Sequence, residues 1–405
     1  MGLSALKLGR GYPRQFWLLF WGYLISTVGS SMIWPFLTIY VSERLDLPLS
    51  SITWLMTVNA VAGLVFSFIS GSVIDRAGRK WVMVISLVVS GLVYFFMSRA
   101  GTLAQFALLQ AVAGAFNPLY RVAADAMMAD LIPAEHRVDA YSLMRLSNNV
   151  GVAIGPALGG FIASTSYALA FYFAMSGLIF FGLLVAAFAR ETLPQNEFLA
   201  QPGENRRVGY GQALRDRPFM LFIANFTLTQ VASTILWVLF SVYLKNNFGI
   251  LENAYGWLPT TNAVLVLLFQ MWITGRVKRF APLKSLSVGT FIYGLALGSI
   301  ALGQSYPAFW ASMVLFTVGE MILMPTSTTY TANLAPADQR GRYMSIYSLT
   351  WGVASGIGPL LGGIATDTLG PRSPWVGGMI IGLLSAGAFL LLSRQSSTKK
   401  EQMPI

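Results

Sequence analysis

Twelve continuous apolar runs recur along the chain, at residues 16–40, 52–74, 81–98, 103–129, 141–163, 167–189, 218–242, 255–276, 283–302, 307–333, 343–366 and 374–393. About 20 mainly apolar residues cross a bilayer as a helix. Transmembrane strands need about ten residues of alternating pattern, and these runs do not alternate. The pattern predicts an all-α membrane protein. The first run carries Trp17, Trp21 and Trp34-Pro35 with no small-residue cleavage motif behind it, so it reads as a retained helix and not as a signal peptide. One long polar break divides the runs six and six. The expected domains are an N-terminal bundle at 1–189, a linker at 190–217 and a C-terminal bundle at 218–405.

The halves share landmarks. Leu131-Ile132-Pro133-Ala134-Glu135-His136-Arg137 returns as Leu334-Ala335-Pro336-Ala337-Asp338-Gln339-Arg340, an offset of 203 residues. Gly155-Pro156 with Gly159-Gly160 returns at the same offset as Gly358-Pro359 with Gly362-Gly363. Six helices bring the chain back to its starting side, so the copies run parallel, an arrangement familiar among transporters. The expected fold is therefore twelve transmembrane helices in two pseudo-symmetric six-helix bundles.

Composition agrees and narrows the chemistry. Of the 405 residues 55% are hydrophobic and only 11% charged, with a mean hydropathy of +0.61, against about 25% charged in soluble domains. The net charge of +11 would suggest nucleic acid in a soluble chain. Here 22 of the 27 Lys and Arg fall on segments of one side, four on the other, and Arg121 lies within a helix. The positive-inside rule then places both termini in the cytoplasm of a multi-pass cell-membrane protein, and no nucleic-acid partner is expected. With no Cys and His136 as the single histidine, a disulfide framework, a thiol nucleophile and a multi-His metal centre are excluded. A membrane-embedded transferase would need clustered His, Asp or Cys, and a Walker-type loop is absent. Neither an enzyme nor a cofactor is expected.

The loop between the second and third runs is Gly71-Ser72-Val73-Ile74-Asp75-Arg76-Ala77-Gly78-Arg79-Lys80. Gly71 would let a neighbouring helix approach, Gly78 permits a tight reversal, and Asp75 can face a helix N-terminus. The decapeptide fits G-x-x-x-D-R-x-G-R-K at every fixed position, and in this the chain resembles the major facilitator superfamily. The resemblance implies a gating latch: Asp75 caps the start of helix 11, and Arg76 or Arg79, beside Lys80, meets Asp130 at the end of helix 4. The second copy, Gly275 to Lys284, is degraded, with Arg279 in place of Asp75, Pro282 in place of Gly78 and Asn333 in place of Asp130.

Helix 5 carries Gly151, Gly155, Pro156, Gly159 and Gly160 in the pattern G-x-x-x-G-P-x-x-G-G. Glycines four apart make a flat stripe for helix packing, and Pro156 bends the helix. The pattern resembles that of the 12-helix drug:proton antiporters, which implies export; a packing seam with no directional meaning is the other reading. One departure stands out. These antiporters carry an Arg in an R-x-x-x-G setting in helix 4, and here Gln110 precedes Gly114, leaving Arg121 as the substitute.

Gln110, Gly114, Asn117, Arg121 and Asp125 fall within an arc of about 80° on helix 4. Ionisable residues inside a membrane are costly and mark function by default. Arg121, Asp125 and Glu320, the last at the middle of helix 10, are the expected proton-coupling residues. Arg121 and Asp125 could instead neutralise each other one turn apart, and Glu320 could be a hydrogen-bonded structural carboxyl. By the resemblance, helices 1, 4, 7 and 10 line a central cavity. Tyr23, Ser26, Trp34, Gln110, Asn117, Asn225, Gln230, Trp237 and Met324 are its candidate substrate-binding residues, against the simpler reading that most of them face lipid or neighbouring helices. Aromatics and Met with few charges suit amphipathic or cationic compounds.

The expectation is a monomeric secondary transporter working by alternating access. It would be a proton-coupled antiporter for multidrug efflux, drawing on the proton gradient. The alternative is an exporter of a specific metabolite, sugar, amino acid or lipid.

Overall fold

The computed structural model describes residues 11–193, 210–336 and 339–401. Most of the expected linker and the Ala337-Asp338 pair of the second landmark lie outside the described residues. Regular structure among the described residues is helical: α1 (Arg14–Ile33), α2 (Leu37–Leu45), α3 (Leu49–Ala77), α4 (Arg79–Arg99), α5 (Leu103–Leu131), α6 (Arg137–Ala163), α7 (Tyr167–Phe188), α8 (Gly211–Arg215), α9 (Arg217–Phe248), α10 (Glu252–Tyr255), α11 (Trp257–Val277), α12 (Pro282–Leu302), α13 (Tyr306–Leu334), α14 (Arg340–Leu369) and α15 (Ser373–Glu401).

Local chemistry sets the boundaries. The first apolar run does not form one regular helix, because Pro35 has no N–H to donate; Trp34–Phe36 takes a 3-10 turn between α1 and α2. Thr102 caps α5 by accepting from the Gln105 N–H, and Asp216 caps α9 by accepting from the Phe219 N–H. Gly249, at φ 64°, ends α9 in the left-handed conformation.

Ten helical stretches among the described residues are long and apolar enough to cross a membrane. At 29 and 30 residues, α5 and α14 have the length but not the apolarity. The first carries Arg121, Asp125 and Asp130, the second Arg340, Arg342 and Asp367. Large apolar side chains face outward, with Phe68, Met271 and Leu302 at 76%, 77% and 82% exposure. Surface of this kind requires hydrocarbon around it.

The chain divides into two compact units, one formed by Met1–Leu45, Val58–Gly203 and Leu251–Thr260, the other by Asp46–Thr57, Glu204–Ile250 and Thr261–Ile405. In the first, α1 packs on α6 and α7, and α4 packs on α5 and α7. In the second, α9 packs on α14 and α15, and α12 packs on α13 and α15. Shifted by 203 residues, the four pairings of one unit become those of the other. The units also trade segments: the start of α3 belongs to the second and α10 with the start of α11 to the first. In the second unit the Asp367 carboxylate accepts from the N–H groups of Leu49 at 3.1 Å and Ser50 at 2.8 Å, satisfying donors that a helix start leaves free.

Candidate functional site

In the first unit a cavity of about 250 Å³ lies among α1, α5 and α6, lined by Tyr23, Tyr120, Arg121, Asp125, Arg145 and Asn148 together with Tyr141 and apolar neighbours. The Tyr23 and Tyr120 rings stack at 6.4 Å, and the Tyr23 hydroxyl donates to Asn148 Oδ1 at 3.2 Å. The Tyr141 hydroxyl donates to the backbone oxygen of Asp125 at 3.0 Å, and the Asp125 carboxylate makes no hydrogen bond among the described residues. Arg121 and Asp125 sit one turn apart on α5 yet form no ion pair among the described residues. The two charges attract each other through space without a direct ion pair.

In the second unit Glu320 on α13 accepts from the Asn262 side-chain amide of α11 at 2.7 Å, and the same amide donates to Thr317 Oγ1 at 3.0 Å. Asn262 is buried, and no cation pairs with Glu320 among the described residues. A carboxyl whose partner is a neutral amide can hold or release a proton without breaking an ion pair. Sequence reasoning missed Asn262, whose only signal was an amide side chain inside an apolar run.

At the loop, Arg79 forms an ion pair with Asp130, and Arg79 Nη1 donates to the Thr192 oxygen at 3.4 Å. Arg76 and Asp75 are exposed, and Asp75 makes no hydrogen bond or ion pair among the described residues. Glu191 caps the helix that follows this loop. The Glu191 carboxylate accepts from the N–H groups of Arg79 and Lys80, both at 3.0 Å, closing the start of α4. Burial alone would raise the Glu191 carboxyl, but bonds from Leu193, Arg79, Lys80 and Thr192 backbone N–H groups outweigh it and hold the group below the usual carboxylate range. Gly78 has φ 84°, so the backbone demands glycine, and a methyl there would come within 2.5 Å of Glu191 Oε2 and displace that carboxylate. Gly71 has open space around it.

Among the described residues the second unit holds no such assembly. Its helix begins after Ala281, which therefore stands opposite Gly78, one residue before the Pro282 of the sequence alignment. Pro282 and Asn333, at the positions of Arg79 and Asp130, line a cavity of about 230 Å³.

The glycines of α6 are contact points. A methyl at Gly151 would lie 2.7 Å from Thr27 Cγ2, and one at Gly155 2.5 Å from Ser31 Cβ. Methyls at Gly159 and Gly160 would strike the backbone of Met32 and of Glu252. In the second unit, Gly358 meets Val231 and Thr234, and Gly363 meets Ser50 and Thr53. Val28 and Ser31 map onto Val231 and Thr234 at the same offset, so both copies serve as packing seams. In the first, Thr260 Oγ1 donates to the carbonyl of Ala153 at 2.8 Å, beside Pro156.

The remaining candidates are dispersed. Gln110 is buried, and its side-chain and backbone oxygens both accept from Asn59 at 3.0 Å, so it holds α5 to α3 and does not line the cavity. Asn225 donates to the Ser385 oxygen at 3.0 Å and packs α9 on α15. Ser26 is buried and donates to the Tyr23 oxygen at 2.9 Å. Trp237 meets the edge of Phe316. Trp34 is 43% exposed, Asn117 is exposed and Met324 half-buried. Gln230 is buried with its Oε1 unpartnered among the described residues. Of the nine, Tyr23 lines the first unit's cavity.

Helices of membrane-spanning length, a duplicated pairing scheme and a basic loop at α3–α4 meet in one family, whose sequence signature, the Major Facilitator Superfamily, matches residues 19–234 and 222–404. The chain belongs to the Major Facilitator Superfamily. It is thus a secondary-active transporter embedded in a membrane by multiple helices, and its work is transport and not catalysis. The superfamily members it is similar to include a Na(+), Li(+), K(+)/H(+) antiporter of Planococcus maritimus, 26% identical over 81% of this chain and 84% of that protein. Multidrug resistance protein 1 of Bacillus subtilis (strain 168) is 24% identical over 85% of this chain and 87% of its own. In fold, the chain is similar to a crystal structure of a mutant nucleoside transporter, NupG, with a TM-score of 0.81 and 12% identity, covering 93% of this chain and 99% of that one.

Proposed function

We propose that this superfamily member is a proton-coupled antiporter that exports amphipathic or cationic small molecules across the cell membrane by alternating access. The observation that carries the reading is Glu320, the one charged residue of a 29-residue helix, whose partner is the neutral amide of Asn262. A charge there is costly unless it is used. Asp125, facing a cavity beside Arg121, is the second proton site, and Arg121 modulates it. The antiporter and multidrug relatives lend support. In this reading twelve helices form two six-helix bundles, within 1–189 and 218–405, with the linker between them and both termini cytoplasmic. The protein acts as a monomer and needs no cofactor beyond the proton gradient.

The latch of Gly71, Asp75, Arg76, Gly78, Arg79, Lys80 and Asp130 holds one state of the cycle, and the α6 seam at Gly151, Gly155, Pro156, Gly159 and Gly160 is where helices slide during it. The test is transport of ethidium by the purified full chain in proteoliposomes. Accumulation driven by an imposed pH gradient and abolished by a protonophore is expected; ethidium movement indifferent to the gradient would overturn proton coupling.

A further inference from the structure

Charge in the first unit's cavity is unbalanced. Arg121 and Arg145 both line it, against Asp125 alone. Neither arginine makes a hydrogen bond or ion pair among the described residues, and both are exposed. Arg121 lies ten residues before the end of α5 at Leu131, and Arg145 eight residues after the start of α6 at Arg137. At 1.5 Å per residue both sit roughly 12–15 Å inside from the same end. Two guanidiniums facing one carboxylate in a shared cavity leave a net positive charge there that an anion can meet.

The walls around them are aromatic and apolar. Tyr23 and Tyr120 stack at 6.4 Å, and Leu19, Met128 and Met144 complete the lining. Tyr23 is committed to Asn148 and Tyr141 to the Asp125 backbone, so these rings are held in place as platforms. A guanidinium presents parallel N–H groups that match a carboxylate. The volume of about 250 Å³ is near the lower end of ligand pockets, about 300 Å³, which suits a one- or two-ring compound.

We infer that this cavity binds an amphipathic organic anion, an aromatic carboxylate, with Arg121 and Arg145 on its carboxylate and Tyr23 and Tyr120 against its rings. The inference rests on the transport reading above and adds to it an anionic class of ligand held at this cavity, beside the amphipathic and cationic compounds of that reading. A cation entering the same space would face two guanidiniums for one carboxylate.

The experiment is equilibrium binding of three probes with one ring system, 1-naphthoate, 1-naphthylmethanol and 1-naphthylmethylammonium, to the full chain in lipid nanodiscs by calorimetry, with no gradient. Naphthoate should bind about ten-fold tighter than either analogue, as charge-assisted bonds imply. Arg121→Gln and Arg145→Gln should each weaken naphthoate by about ten-fold and leave naphthylmethanol unchanged, whereas Asp125→Asn should tighten naphthoate. Naphthylmethylammonium binding as tightly as naphthoate would overturn the inference. So would arginine variants with wild-type naphthoate affinity, or no saturable naphthoate binding at all. Should Arg121→Gln fail to fold, Arg145→Gln and Asp125→Asn still decide. Because no gradient is present, failure of proton coupling leaves this result untouched, and loss of naphthoate selectivity leaves Glu320-dependent transport untouched.

Discussion

The Asn262 side-chain amide donates to the Glu320 carboxylate at 2.7 Å while also donating to Thr317. This single amide fixes the carboxyl's position in an otherwise uncharged helix. Asn262→Ala should therefore lower gradient-driven efflux by about ten-fold, the scale of one charge-assisted hydrogen bond. Because both residues act through one carboxyl, the double variant with Glu320→Gln should be no worse than Glu320→Gln alone. Additive losses in initial efflux rates would separate the two residues.

The Arg79–Asp130 ion pair is partly exposed, at 13% and 27%. Breaking a buried pair costs about 3–5 kcal/mol, and solvent screening reduces this to about 1–2 kcal/mol here. Arg79→Ala and Asp130→Ala should each lower the melting temperature in detergent, and the double variant should lose less than their sum. Thermal melts of the four proteins provide the check.

Acid should act on the Glu191 cap with a definite sign. A carboxyl held below its ordinary range contributes stability that is complete above that range and is lost as pH falls through the lowered value. Glu191→Gln should remove that part of the acid-side loss, flattening the melting-temperature profile between about pH 5 and pH 3. At neutral pH the variant should cost about 1 kcal/mol, the usual worth of a cap. An unchanged acid limb would contradict the assignment.

Two glycines should behave oppositely. Gly71 has room for a side chain, so Gly71→Ala should be neutral or stabilise α3 by up to about 1 kcal/mol. Gly155 has Ser31 Cβ 2.5 Å from the would-be methyl, so Gly155→Ala must push α1 away and should destabilise by about 1–3 kcal/mol. Melting temperatures of the two variants test both signs.

Much of the fold was legible because the signals are periodic and local. The apolar runs mark the helices, and the Gly155 and Gly358 motifs mark the duplicated seams, since close helix packing needs small residues at fixed spacing. Gly78 was legible because a reversal with positive φ selects glycine. The site was less so. Glu191 reaches Arg79 across 112 residues and Asn262 reaches Glu320 across 58, distances over which no pattern announces contact. Gln110 shared a helical face with Arg121, yet it is satisfied by Asn59, because a face 80° wide can serve a neighbouring helix at one level and a cavity at another. The Pro35 break was written in the sequence but masked by the length of the apolar run.

In the proposed cycle Glu320 carries the coupled proton. The most direct measurement compares two modes of transport in proteoliposomes containing the Glu320→Gln protein: ethidium exchange without a gradient and ethidium accumulation driven by a pH gradient. Exchange should persist, because the substrate path is intact, while gradient-driven accumulation should vanish. Accumulation at the wild-type level would contradict the account.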